Sequence, residues 1–119
     1  MFRIGTVPFL VARPLAWGLE HHDEVELTLA PPSELGNMLR AGELDVALAS
    51  SVLVTNHPEL EFWAEGPVIA SRGPVRSVVV LLRPGMQPSK VRSLALDPAS
   101  RSGRALAQVI LREVHHAAP

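Results

Sequence analysis

Cysteine is absent from the chain, which removes a disulfide framework and any thiolate metal site from the chemistries open to it. An excess of charge is also missing. The net charge is -1, far from the strongly basic footprint of a nucleic-acid binder, and an apolar content of 47% excludes the low hydrophobicity of a disordered tail. Long hydrophobic runs are lacking too. The opening "MFRIGTVPFLVARPLAWGLE" is interrupted by Pro8, Arg13 and Pro14, well short of the roughly 20 apolar residues a membrane span needs, and it lacks the layout of a signal peptide. It reads as part of the mature fold, with no membrane partner and with the cytoplasm as the simplest compartment. Neither G-x-G-x-x-G nor a Walker-A run occurs, which removes the common nucleotide-binding routes, and no G-x-S-x-G elbow is present. The adjacent pairs His21-His22 and His115-His116 lack the i, i+3 or i+4 spacing that turns two imidazoles toward one ion, so no metal is expected.

What is present is an alternation of apolar periods. At 119 residues the chain is one domain or a single lobe of something larger, long enough to bury about two thirds of its unfolded surface. "FRIGTVPF" reads as a strand ending near Pro8, and "ARPLAWGLEHH" as a short helix carrying Leu15, Trp17 and Leu19. "EVELTLA" alternates Val25, Leu27 and Leu29 with polar residues, the period of a half-covered strand. In "PPSELGNMLRAGELD", Ser33 is placed to cap a helix, Leu35, Met38 and Leu39 share a face, and Gly42 supplies the stop. "DVALAS" reads as a strand buried on both faces. "SVLVTNHPELE" is a weak helix ending before Pro58.

Beyond it, "FWAEGPVIAS" and "VRSVVVLLR" read as extended, and the branched run Val78 to Leu82 belongs in the centre of a sheet. "SLALD" is a last strand. "SRSGRALAQVILREVHH" is a helix with Leu106, Val109, Ile110 and Val114 on one apolar face. Strands alternating with helices over short connections predict an α/β fold with a mostly parallel sheet flanked by helices. The last helix carries more apolar surface than half a sheet covers, so the chain is expected to stop inside a larger protein and to self-associate through the uncovered surface.

Ligands of open parallel sheets bind beyond the carboxyl ends of the strands, which selects the loops "PFLVARP", "ALASS", "ASRGPVRS" and "DPASRSG". In the last, Ser100, Arg101 and Ser102 occupy the first turn of a helix, where backbone N–H groups and the helix dipole favour an anion. The competing reading is plain capping by Ser100 or Ser102, with Arg101 and Arg104 in solvent. In "SRGPVRS", Gly73-Pro74 makes a bend, or else Ser71 and Ser77 direct hydroxyls into a cleft while Gly73 permits close backbone approach. Asp45 reads as a surface or turn residue. Asp97 reads as orienting the turn that follows it, with contact to a substrate as the second option.

Four segments in order, "RIGTVPFLVARPL", "SELGNMLRAGELDVALASS", "VIASRGPVRSVVVLLR" and "SLALDPASRSGRALAQVILRE", resemble the chorismate dehydratase family, MqnA, of the futalosine route to menaquinone. The likeness spans nearly all of the chain, and the S-x-G-P-V-x-S and D-x-x-S-R-[ST] pieces weigh most. It implies one lobe of a two-lobed fold like the type 2 periplasmic binding proteins, with residues 1–96 as the first lobe and 97–119 as a turn and helix leading toward a second lobe that is missing or truncated. It also implies a hydro-lyase that converts chorismate, a dicarboxylate, into 3-[(1-carboxyvinyl)oxy]benzoate and water with neither metal nor organic cofactor. Aromatisation supplies the driving force, and the protein binds, orients and excludes water.

The resemblance carries Ser100, Arg101 and Ser102 over as carboxylate ligands, Ser71 or Ser77 as the serine on the substrate, and Ser50 and Ser51 as secondary contacts. It also exposes a departure. The family pattern Y-L-N-x-x-P-L falls on residues 9–15, and its asparagine is Val11 here, which neither donates nor accepts a hydrogen bond. Because half a cleft leaves a ligand uncovered, the 119-residue chain by itself is expected to be inactive. The alternative is a non-catalytic small-carboxylate-binding protein of the same fold; a solute receptor or regulator lobe is a third.

Overall fold

β-Branched and apolar residues alternating with small or polar ones build β1, Phe2–Thr6, and β2, Val25–Leu29. The two pair in parallel from Phe2 opposite Val25 to Thr6 opposite Leu29. β3, Val46–Ala47, joins the other side of β1 with Ile4 opposite Val46, so the sheet order is β2-β1-β3. Helices flank it: α1, Arg13–Ala16; α2, Pro32–Arg40; and α3, Val52–Asn56. The α/β class expected from the alternation is therefore present. This is a computed structural model that describes residues 1–75 and 78–119, and it divides into two compact units, Met1–Ala70 and Ser71–Pro119. No helix among the described residues is long and apolar enough to cross a membrane.

The core of the first unit gathers Val7, Ala12, Ala30, Leu35 and Leu44, with Met38 and Leu39 packed against them. Leu35 is 0% exposed. Gly5 makes this packing possible, because a Cβ there would stand 2.5 Å from Leu44 Cδ1 and 2.7 Å from Leu35 Cδ2. Both contacts fall far inside ordinary van der Waals distance. At the end of α2, Gly42 adopts φ 72°. Its N–H donates to the Leu39 carbonyl at 3.1 Å, while the Glu43 N–H donates to Met38 at 2.9 Å, the paired bonds of a Schellman stop.

β3 is anchored by an ion pair. The Arg3 guanidinium donates to both Asp45 carboxylate oxygens, at 3.1 Å from Nε and 2.6 Å from Nη2, and to the Gly42 carbonyl at 2.7 Å. The Arg3 backbone N–H reaches the same carboxylate at 2.8 Å. These hydrogen bonds, the side-chain one first, hold the Asp45 carboxyl down to about 2 and raise Arg3 above its ordinary value. The aspartate read from the sequence as a surface residue is indeed exposed, and it also ties β1 to β3.

Several expected elements come out differently. Ser33 is not the cap of α2: Pro31 holds that position and Pro32 the first helical one, because a proline's fixed φ suits the first turn. The expected helix around Leu15, Trp17 and Leu19 is broken into Leu10–Ala12 and Leu19–His21 of 3-10 geometry around the single turn of α1. Gly18 at φ 85° interrupts it, and Trp17 is exposed. "DVALAS" yields only the two-residue β3, at the edge of the sheet among the described residues, with Val46 exposed.

In the second unit, α4 runs Arg101–Val109 and continues as a π-helical turn, Ile110–Val114. Its small core is Val91, Leu111 and Ala117, with Leu94 against it. Leu106, Val109, Ile110 and Val114, the apolar face read along this helix, are all exposed. No strand forms among the described residues from 61 to 100, which overturns the sheet-centre reading of Val78 to Leu82 and the strand reading of "SLALD". Val78 to Leu82 lie open, Leu81 at 86%. A run suited to burial on both faces needs hydrogen-bonded strands beside it, and among the described residues none pairs with it.

Candidate functional site

Parallel strands place all their carboxyl ends at one edge of the sheet. In the first unit that edge carries the loop after β1, which holds Val11, and the loop after β3, which holds Ser50 and Ser51. The topology therefore gathers these three candidates on one side. Val11 sits in the 3-10 turn Leu10–Ala12 with its side chain exposed, beside a shallow apolar patch formed by Leu10, Arg13, Pro14 and Trp17. Ser51 immediately precedes α3 and is exposed, and Ser50 is half-buried.

In the second unit, Ser71 is exposed and Gly73 turns the chain at φ 93° with open space where its Cβ would be. The positive φ accounts for the glycine, since L side chains rarely adopt it. Ser77 lies outside the described residues.

The opening of α4 holds the densest chemistry. Asp97 Oδ1 accepts the Ala99 N–H at 2.9 Å, and the Asp97 carbonyl accepts the Ser100 N–H at 3.3 Å. The Asp97 side chain thus shapes the turn, the first of its two sequence readings. Ser100 is the residue preceding the helix, but its side chain makes no capping hydrogen bond; the capping reading fails for Ser100. Its hydroxyl lies instead over Gly103, whose Cβ would come 2.5 Å from Ser100 Oγ and 3.1 Å from Val78 Cγ1. A side chain at Gly103 would have to push the Ser100 hydroxyl aside. Sequence reasoning took Gly103 only as part of a turn; its signal was a glycine three residues after a serine, inside a helix that otherwise favours alanine and leucine.

Beside this turn runs an open groove of about 890 Å³. Asp97, Ser100, Gly103 and Arg104 line its polar end, and Val79, Leu81, Leu106 and Ile110 line much of the rest. Arg101 and Ser102 belong to the first turn of α4. A helix of nine residues presents its opening N–H groups and positive dipole end there, beside the Ser100 hydroxyl and the exposed Arg104 guanidinium. Such an arrangement suits a carboxylate attached to an apolar ring. Among the described residues, no group of three or more His, Asp or Glu side chains converges on a point that could hold a metal ion.

No solved structure matches the chain. A family model described as menaquinone biosynthesis matches residues 2–119. That match takes in every candidate residue and both units, and the chain therefore belongs to the menaquinone biosynthesis family.

Proposed function

We propose that this family member acts on chorismate, removing water to give 3-[(1-carboxyvinyl)oxy]benzoate, as one lobe of a two-lobed cytoplasmic enzyme of the periplasmic-binding-protein type. The reading is carried by one observation: the groove at the opening of α4 sets the Ser100 hydroxyl, Gly103 and Arg104 beside an apolar wall. In the reaction the ring carbon bearing the ether gives up its proton and the neighbouring carbon releases its hydroxyl. The electrons of the broken C–H bond complete the aromatic ring, so neither an oxidant nor a reductant is consumed.

The residues have simple tasks in this scheme. Ser100, Arg101, Ser102 and the first-turn amides take a carboxylate of the substrate, and Arg104 adds positive charge at the groove mouth. The apolar wall takes the ring and keeps water from it, which strengthens the charged contacts. Ser71, Ser77, Ser50 and Ser51 are further contacts. Val11 stands where an asparagine is expected, so the Val11→Asn variant should turn over faster than the parent. Ultraviolet spectroscopy reads the reaction as loss of ring-diene absorbance. Binding of chorismate with no conversion, in the presence of a complementary lobe and with asparagine at position 11, would favour the non-catalytic carboxylate binder instead.

A further inference from the structure

Charge is divided between the two units far more unevenly than the whole-chain value of -1 suggests. Residues 1–70 hold three Arg against ten Asp and Glu, a balance of -7, while residues 71–119 hold seven Arg and one Lys against two acids, a balance of +6. All ten acids of the first unit are exposed. Within each unit one surface combines this charge with uncovered apolar side chains. In the first it is the segment "ELEFWAE", residues 59–65, which lies outside any helix or strand before a turn at Ala64. It exposes Phe62 at 64% and Trp63 at 63% between the exposed Glu61 and Glu65. In the second it is the groove, with Leu81 and Leu106 exposed on its wall and Arg83, Arg92 and Arg104 among its lining residues.

We propose that the two surfaces are partners between copies of the chain: Phe62 and Trp63 of one copy enter the apolar part of the groove of a second copy, and the exchange is reciprocal. Charge complementarity identifies the occupant, because the acids beside the two aromatics match the arginines of the groove, and like copies present both. Area is the second reason. Two reciprocal insertions bury four aromatic side chains that each have about 150–250 Å² to lose when fully covered. At the exposure observed, and with matching loss from the grooves, the buried area comes to about 1,000 Å², the lower bound for a specific interface. The groove volume falls within the range of sites that enclose a compact apolar group. Leu106 lies six residues along α4 from Ser100, about 9 Å at the helical rise, so the docked aromatics and a carboxylate occupy different ends of the groove. The proposal does not rest on the chorismate reading, but the aromatics take the apolar wall that the substrate ring takes there, so docking and ring binding exclude each other in one groove.

The test is sedimentation of the full 119-residue chain over a range of concentrations. A monomer–dimer equilibrium is expected whose dissociation constant rises at least about tenfold from roughly 0.1 M to roughly 1 M salt, as the Debye length falls from about 10 Å to about 3 Å. Phe62→Ser with Trp63→Ser should yield monomer; both side chains are largely exposed, so the fold is retained, which circular dichroism checks. Glu61→Arg with Glu65→Arg, and separately Arg83→Glu with Arg92→Glu, should each be monomeric alone and form a one-to-one complex when mixed. In a Trp17→Phe background, which leaves Trp63 as the sole tryptophan, emission should shift to the blue with rising concentration. A chain that stays monomeric throughout, a dimer unmoved by these substitutions, open-ended assembly, or a monomer whose Trp63 is already shielded would each overturn the proposal.

Discussion

Replacing Gly5 by alanine tests the core of the first unit most sharply. The new methyl would stand 2.5 Å from Leu44 Cδ1 and 2.7 Å from Leu35 Cδ2, and both leucines are buried, at 4% and 0% exposed. Overpacking of this kind costs about 1–3 kcal/mol. Alanine recovers part of that by losing less backbone entropy than glycine, about 0.5–1 kcal/mol. A net loss centred near about 1 kcal/mol and reaching about 2.5 kcal/mol follows, which for a unit of this size lowers Tm by roughly 4–8 °C per kcal/mol. Urea and thermal unfolding followed by circular dichroism measure it. A second substitution shows whether the contact is the cause: with Leu44→Val shortening the side chain, Gly5→Ala should cost clearly less than it does beside leucine. If Gly5→Ala is stabilising, or if the two changes simply add, Leu35 and Leu44 do not pack over β1 in the way described.

Other perturbations have equally definite outcomes. Gly42→Ala should lose about 1–2 kcal/mol, because its φ of 72° is costly for an L side chain; chemical denaturation reads the change. The Asp45 carboxyl, held down to about 2 against an ordinary value near 4, stabilises the fold above its unfolded value. That contribution fades as pH falls from about 4 through about 2, so the gap in unfolding midpoint between the parent and Asp45→Asn should be widest near neutrality and close in acid. Gly103→Ala should displace the Ser100 hydroxyl and weaken carboxylate binding in calorimetry. Beside Ser100→Ala it should weaken binding no further, since the clashing oxygen is then gone.

Elements supported by local pattern were legible in the sequence. The alternation in "EVELTLA" and the apolar face of Leu35, Met38 and Leu39 describe β2 and α2 because their burial partners lie within the first 50 residues. The Gly42 stop was legible for the same reason. The Arg3–Asp45 pair was not, although the register of a parallel sheet places the residue before Ile4 beside the residue before Val46; seeing it required knowing which strands are neighbours. Val78 to Leu82 misled for the opposite reason. Five branched residues predict a buried strand only where other strands pair with them, and among the described residues none does. For the candidate site, the first turn of α4 was recognisable as a cluster of hydroxyls and arginines. The serine-glycine spacing of three hints at the contact, but the closeness of Ser100 Oγ to Gly103 depends on a side-chain rotamer that the spacing alone does not fix.

The most direct measurement is titration calorimetry of chorismate, comparing the parent chain with the Ser100→Ala variant and with the Arg101→Ala, Arg104→Ala double variant. The account predicts measurable binding by the parent, weakened at least about tenfold by either change, as expected when a charge-assisted contact worth about 1.5–3 kcal/mol is removed. Equal affinity in all three, with the fold intact by circular dichroism, would contradict it.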